Sequence, residues 1–159
     1  MSDAKTTVSA RALIDGSRYL TVATADADGR PWATPVWFAH DRYAEFLWVS
    51  RPGARHSVNI AGRRSVALVM FDSTVTPGSA QAVYVDAEAE EVDGETLDSA
   101  IGAYSDKSVG TGLAPWSAAD VSGTALHRLY RARAVASFVL AANDRRVPVS
   151  LSQDGKESS

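Results

Sequence analysis

Alternating apolar and polar positions divide the chain into strands. The segment Gln81–Val92 alternates most regularly, with Val83, Val85, Ala87 and Ala89 on one face. The other face carries charged or aromatic side chains, which is typical of a strand with one buried and one wet face. Further β-rich runs bounded by turn residues predict strands over Tyr19–Ala25, Pro31–Ala39, Ala44–Ser50, Ser65–Asp72, Leu126–Ala132, Ala134–Ala141 and Arg145–Leu151.

Turn residues suggest how these strands connect. The polar turns Asp26–Arg30 and His40–Tyr43 join the first three strands into a predicted three-stranded meander. A third turn, Ala142–Asp144, joins the last two strands. The run Ser65–Asp72 is almost entirely apolar, so we expect it to be buried on both faces.

Helical spacing appears in three short segments. Leu97, Ile101 and Tyr104 recur at i, i+4 and i+7 and predict a helix over Glu95–Tyr104. The remaining predictions are helices over Ser9–Gly16 and around Val58–Gly62, a loop over Ser105–Pro115, and a capping box that opens one turn at Ser117–Asp120.

This order of elements indicates a fold class. About seven strands follow one another with three helices and no regular β-α-β alternation, which indicates an α+β fold built around an antiparallel barrel. The 159 residues fit one domain over residues 1–151, and residues 152–159 form a polar tail that we expect to be disordered.

Composition excludes several classes of function. The chain has no cysteine, so it forms no disulfide and no thiolate metal site, and this agrees with a cytoplasmic location. The net charge is −3 and the basic residues are scattered, so we expect no nucleic-acid partner. No apolar run is long enough to span a membrane, and a small-molecule ligand is the better expectation.

Dedicated catalytic and metal motifs are missing. Dinucleotide-binding, P-loop, nucleophile-elbow and zinc-protease patterns do not occur. His40, His56 and His127 are too far apart in sequence to form a local ligand pair, so we predict no metal site.

One segment has the composition of an anion site. Between a strand end and a helix start lie Val49, Ser50, Gly53, Arg55 and His56. A hydroxyl, a guanidinium, an imidazole and the free amides of a helix N-terminus together suit a phosphate. On local composition alone, a solvated arginine-rich loop is the better interpretation.

The segments before and after this anion-site candidate follow one another in an order that resembles a known family. The segments that carry a resemblance are, in chain order, GRPWATPVWF, FLWVSRPGARHSVNI, SVALVMF, QAVYVDAEAEEV and LHRLYRA. Together they resemble successive strands of the pyridoxamine 5′-phosphate oxidase-like flavoproteins, from about Tyr19 to Leu151. The resemblance implies a split barrel, a homodimer, and FMN held in a groove at the dimer interface.

The resemblance also implies site residues. Ser50 matches the family's phosphate-binding hydroxyl, Arg55 its arginine, and His56 replaces its lysine. The strand that lines the flavin falls on Thr34–Ala39. The implied cofactor-binding set is Thr34, Val36, Trp37, Val49, Ser50, Arg55, His56 and Gln81, with Arg145 or Arg146 resembling a later arginine that reaches the site.

Departures from the family pattern concern the substrate. Thr34 and Ala39 stand where true pyridoxamine phosphate oxidases have arginine and lysine, so we expect a different substrate. The insert with Tyr104, Lys107 and Trp116 is a candidate for shaping that pocket. The expected function is an FMN-dependent oxidoreductase, with no catalytic acid or base assigned. The alternatives are a deazaflavin-dependent reductase and a non-catalytic flavin-binding or haem-binding protein.

Overall fold

The computed structural model describes residues 4–152, which form three α-helices and eight strands. The helices are α1 (Ala4–Gly16), α2 (Arg55–Gly62) and α3 (Leu97–Gly110). The strands are β1 (Tyr19–Ala25), β2 (Pro31–Trp37), β3 (Ala39–Asp41), β4 (Glu45–Ser50), β5 (Ser65–Phe71), β6 (Ala82–Glu91), β7 (Arg128–Leu140) and β8 (Arg146–Pro148). Short 3-10 turns occupy Gly94–Thr96, Ala118–Val121 and Ala142–Asp144.

All paired strands are antiparallel and belong to one curled sheet. The strand order is β2-β1-β5-β6-β7-β4-β3, and β8 pairs with β7. The curl encloses a core whose largest fully buried side chains include Trp48, Phe38 and Phe46. This half-barrel with three helices confirms the predicted α+β split barrel.

The alternating pattern predicts β6 well and β5 less well. Along β6, Val83, Val85, Ala87 and Ala89 are all buried, as predicted. In β5 the prediction of burial on both faces is wrong, because every second residue points to solvent and Phe71 is 55% exposed. Among residues 4–152, the outer face of β5 leaves Ala67 and Phe71 exposed and Val69 half-buried.

The predicted three-stranded meander is wrong. β2 pairs with β1, but β3 and β4 lie at the opposite edge of the sheet, where β4 pairs with β7. The predicted strand over Pro31–Ala39 breaks at Phe38. Phe38 and Ala39 are both buried although they are consecutive, since each packs into a different hydrophobic cluster. The chain thereby passes from one half of the core to the other.

Two predicted strands are one long strand in the structure. β7 runs without interruption through the boundary predicted between Ala132 and Ala134. Its pairing with β6 shifts there: Ala87 pairs with Ala134 and Asp86 with Ala136, which leaves Val135 unpaired. Such a bulge bends a strand without ending it, and Val135 points to solvent with 70% of its area exposed.

The helix α3 continues beyond its predicted end. Residues 105–110, predicted as loop, form its last turns. Ser105 and Ser108 secure the segment that follows: the Ser105 hydroxyl accepts from the Trp116 amide at 2.9 Å, and the Ser108 hydroxyl donates to the Ala114 carbonyl at 2.6 Å. The helix ends where Gly112 adopts a left-handed φ of 84°.

The strand predicted over Arg145–Leu151 is shorter in the structure, where β8 covers only Arg146–Pro148. Three other local predictions are confirmed. α1 covers the predicted Ser9–Gly16 and begins earlier, at Ala4. α2 covers Val58–Gly62, and Ser117 with Asp120 forms the predicted capping box. Of the tail that we expect to be disordered, residues 153–159 lie outside the described residues. Within residues 4–152 no helix has the length and apolar character needed to cross a membrane.

Candidate functional site

The end of β4 and the start of α2 place Ser50 beside His56. Ser50 Oγ and His56 Nε2 lie 2.8 Å apart, which is hydrogen-bond distance. His56 is buried, and this burial lowers its pKa below the ordinary value of 6.5. The imidazole is therefore neutral near pH 7 and acts as a hydrogen-bonding group rather than a cation.

The first turn of α2 presents free backbone donors. Ala54 precedes the helix and provides no side-chain cap, and the first helical hydrogen bond is Val58 N to Ala54 O at 3.0 Å. The amides of Arg55, His56 and Ser57 consequently have no acceptor within the helix. A helix N-terminus of this kind favours an anion.

A buried side-chain contact fixes α2 against the sheet. Asn59 Nδ2 donates to Thr24 Oγ1 of β1 at 3.0 Å, and both residues are buried. Because α2 is tied to β1 in this way, its first turn holds a defined position next to the end of β4 and the start of β2.

Arg55 lies over Trp32, a contact that the sequence did not predict. The guanidinium carbon is 4.3 Å from the centre of the Trp32 ring, which is cation–π geometry. Within residues 4–152 Arg55 forms no ion pair with a carboxylate, so its charge stays available. Trp32 is 40% exposed at its position in β2, and no pattern in the sequence links it to Arg55.

The predicted flavin-lining strand, β2, forms one edge of the sheet. Val36 is buried in the core, and Thr34 on the same side is half-buried opposite Val22. Trp37 points the other way and packs edge-on against Tyr104 of α3, with ring centres 5.1 Å apart. The strand therefore offers its unpaired backbone edge and the Trp37 ring, while the Val36 side chain faces inward.

The other predicted site residues lie elsewhere. Val49 is half-buried in β4, opposite Leu129, one residue before Ser50. Gln81 is exposed just before β6 and lines a cavity of about 220 Å³ beneath α1. The sequence assigned both to a site with Ser50, and the structure brings only Val49 close to it.

The pairing of β7 shows how far Gln81 is from Ser50. Ser50 pairs with Arg128 at the start of β7, whereas Val83, two residues after Gln81, pairs with Val139 near its end. At about 3.3 Å per residue these positions are up to roughly 36 Å apart along the strand. Arg146 lies at the Gln81 end, with its guanidinium 4.8 Å from the Tyr84 ring centre.

The insert between β6 and β7 forms an aromatic stack. Tyr104 is buried, with its ring 5.1 Å from Trp37 and 5.7 Å from Trp116 in edge-to-face contacts. Burial raises the pKa of Tyr104 to about 12, so its hydroxyl stays protonated. Lys107 of the same helix lines a cavity together with Trp37.

In the described part of the chain, residues 4–152, no three His, Asp or Glu side chains are grouped in a way that could hold a metal ion. His40 bonds Asp15 and His56 bonds Ser50, while the half-buried His127 packs edge-on against Trp116 with ring centres 6.3 Å apart.

The curled antiparallel sheet with three helices places this chain among the split-barrel proteins. A family model described as pyridoxamine 5′-phosphate oxidase matches residues 7–135. The chain therefore belongs to the pyridoxamine 5′-phosphate oxidase-like family. No curated protein sequence matches it.

Solved structures share the fold at low sequence identity. A haem-binding protein from Mycobacterium smegmatis has 17% identity and a TM-score of 0.73, over 94% of this chain and 60% of that one. The haem-storage protein HutZ from Vibrio cholerae has 21% identity and a TM-score of 0.62, over 78% of this chain and 86% of that one. An F420 reductase has 21% identity and a TM-score of 0.57, over 80% of this chain and 94% of that one. Likeness at this level shows the fold alone, and the chain spans only 60% of the first of these proteins.

Proposed function

We propose that this protein is an FMN-dependent oxidoreductase that works as a homodimer on a small-molecule substrate other than pyridoxamine phosphate. The observation that carries the proposal is the guanidinium of Arg55, which has no carboxylate partner within residues 4–152, near the free amides of the α2 N-terminus. Bound FMN would supply the hydride or electron chemistry, and the protein would supply its position and electrostatics.

The residues at the start of α2 fit a phosphate. Three backbone amides lack a helical acceptor there, and Arg55 adds a charge with a forked donor geometry. His56 adds no charge when neutral, so Arg55 carries most of the electrostatic attraction. Trp32 holds the guanidinium in place before a ligand arrives, which reduces the entropy lost on binding.

The direction of the Ser50–His56 hydrogen bond determines whether the Ser50 hydroxyl can donate to a phosphate. If Nε2 carries the imidazole proton, it donates to Ser50 Oγ, and the serine hydroxyl is then free to donate to a phosphate oxygen. With the proton on Nδ1, the hydroxyl instead donates to Nε2. A hydrogen bond from the Ser50 hydroxyl to the phosphate therefore requires the tautomer with the proton on Nε2.

An apolar patch on the outer face of the sheet supports the dimer. Tyr19 of β1 and Phe71 of β5 are 59% and 55% exposed. They lie two residues beyond the paired Thr21 and Val69 on neighbouring strands, so their side chains are adjacent. Adjacent exposed aromatic side chains form an apolar patch that a two-fold symmetric dimer would bury on both copies.

A deazaflavin coenzyme in the same groove is the second candidate. The neutral, buried His56 in place of the family's lysine leaves a weaker positive charge than FMN phosphate sites in the family have. An F420 reductase is among the structures that share the fold. A haem-binding role has support from the names of two structural neighbours, although His40 and His56 are already engaged by other side chains.

Titration of purified, cofactor-free protein with FMN, with the deazaflavin coenzyme and with haemin distinguishes these functions. Absorption spectra follow each titration, and mass spectrometry identifies any molecule released from the protein as purified. We expect tight, saturable binding of FMN at one molecule per chain and reduction of bound FMN by a nicotinamide donor. Saturable binding of haemin or deazaflavin without FMN binding would contradict the proposal.

A further inference from the structure

A cavity of about 430 Å³ lies where α1, α3 and β2 meet, away from the start of α2. This volume is in the range of small-molecule sites. Its walls combine basic, aromatic and aliphatic side chains. The lining residues include Asp15, Arg18, Trp37, Lys107, Thr111 and Leu113.

Lys107 brings a partly buried charge to this cavity. Its ammonium lies 4.9 Å from the Phe38 ring centre and, among residues 4–152, forms no hydrogen bond or ion pair with another side chain. Burial lowers the pKa of Lys107, because removing the charged ammonium from water costs free energy. The carbonyl groups at the end of α3 already accept from Thr111 and Leu113, so they do not require the ammonium.

The carboxylate in the cavity is engaged by other groups. Asp15 Oδ1 lies 2.8 Å from His40 Nε2, and Asp15 Oδ2 accepts from the Tyr43 hydroxyl at 2.6 Å. The Tyr43 amide donates to His40 Nδ1 at 3.2 Å, which places the imidazole proton on Nε2, facing Asp15. Within residues 4–152 Asp15 and Lys107 form no direct ion pair, but the Asp15 carboxylate is near enough to raise the pKa of Lys107 and so favours the charged ammonium. The hydrogen-bond donors of this ammonium remain available to an anion.

A second cation and an apolar wall complete the cavity. The guanidinium of Arg18, just before β1, has no carboxylate partner within residues 4–152. Trp37 is fixed by its edge-on contact with Tyr104, and Leu113 is 55% exposed. Two cations beside a fixed aromatic ring suit a ligand that is both flat and negatively charged.

We propose that this cavity binds a small aromatic carboxylate, with its ring against Trp37 and its carboxylate between Lys107 and Arg18. The binding site itself does not depend on the cofactor. The role of such a ligand as the substrate does rest on the proposed function, because β2 is also the strand assigned to the flavin.

Calorimetric titration with naphthoate and with the neutral analogue naphthylmethanol tests the site. We expect saturable naphthoate binding at one molecule per chain, weakened about tenfold to a hundredfold by Lys107→Gln. Naphthylmethanol, which has no charge, should bind weakly and equally to both proteins. Lys5→Gln, which removes a lysine outside this cavity, serves as the matched control and should leave naphthoate binding unchanged.

Arg18→Gln provides an independent variant at an exposed position, where a folding defect is not expected. It should also weaken naphthoate binding without changing naphthylmethanol binding. The proposed site would be overturned if the wild type does not bind naphthoate. It would also be overturned if Lys107→Gln and Arg18→Gln each lose as much affinity for naphthylmethanol as for naphthoate. FMN content is measured on the same samples: naphthoate binding by protein that takes up no FMN would sustain this site and reject the proposed function.

Discussion

Ser50 Oγ and His56 Nε2 are joined at 2.8 Å across the junction between β4 and α2. The imidazole of His56 is buried, and this burial lowers its pKa below 6.5 in the folded protein. The unfolded chain binds a proton at the ordinary pKa, so between the two values the unfolded state holds more protons. The stabilisation is complete above pH 6.5 and is lost as the pH falls towards the lowered value.

We therefore predict that the free energy of unfolding of the wild type falls between about pH 8 and about pH 5 more than that of His56→Gln. Glutamine keeps a donor for Ser50 but does not titrate. Urea unfolding at the two pH values measures the difference. An identical decline in both proteins would show that His56 does not titrate with folding.

The hydroxyl of Tyr43 stabilises the turn after β3. Both Arg42 and Tyr43 have left-handed φ values, 51° and 58°, which are unfavourable for residues other than glycine. The Tyr43 hydroxyl donates to Asp15 at 2.6 Å and thereby ties this strained turn to α1. Tyr43→Phe should lower the free energy of unfolding by about 1 kcal/mol, since the acceptor is partly exposed. Urea unfolding that gives no change would mean that the other contacts of the turn, which include the hydrogen bond from the Tyr43 amide to His40, are sufficient to hold it.

The sequence predicts structural features that depend on neighbouring residues better than features that depend on residues distant in the chain. Alternation identifies the buried face of β6, and turn residues locate the bends at Asp26–Arg30 and Ala142–Asp144, because these features depend on neighbouring residues. The break at Phe38 does not follow from alternation, because it reflects two core clusters that form only in the folded chain.

In the candidate site, too, the sequence predicts contacts between residues that are close in the chain and misses contacts between residues that are distant. Ser50, Arg55 and His56 lie together because they are within seven residues of one another. Gln81 belongs to the same implied set, yet the register of β7 places it at the far end of the sheet. The contact of Arg55 with Trp32 joins residues distant in sequence, and no local pattern indicates it.

The apolar face with Tyr19 and Phe71 predicts a dimer of two 16.9 kDa chains. Burying these two aromatic residues removes apolar area from water on association. Phe71→Glu should place an unpaired charge in that interface and shift the protein to monomers. Light scattering at micromolar concentration measures the mass.

Leu126→Glu is the matched control for the dimer, because Leu126 is also exposed, at 66%, but lies outside the strands. It should leave the dimer intact. A wild-type mass near that of one chain, with cofactor bound, would refute the predicted assembly.

Pyridoxamine 5′-phosphate and pyridoxine 5′-phosphate should be poor substrates. Thr34 is half-buried and Ala39 fully buried, and neither supplies the cation that a phosphorylated substrate needs. Steady-state assays on FMN-loaded protein should give turnover far below the typical enzyme value of about 10 per second. Turnover near that value on either compound would contradict the assignment.

The central claim is that the start of α2 holds the phosphate of FMN, and the affinities of Arg55→Ala for FMN and riboflavin test it most directly. Arg63→Ala, at the other end of the same helix, is the control and should bind both ligands like the wild type. Because Arg55 is assigned to the phosphate alone, its removal should weaken FMN binding about tenfold to a hundredfold and leave riboflavin binding unchanged. Equal losses for FMN and riboflavin would contradict the claim.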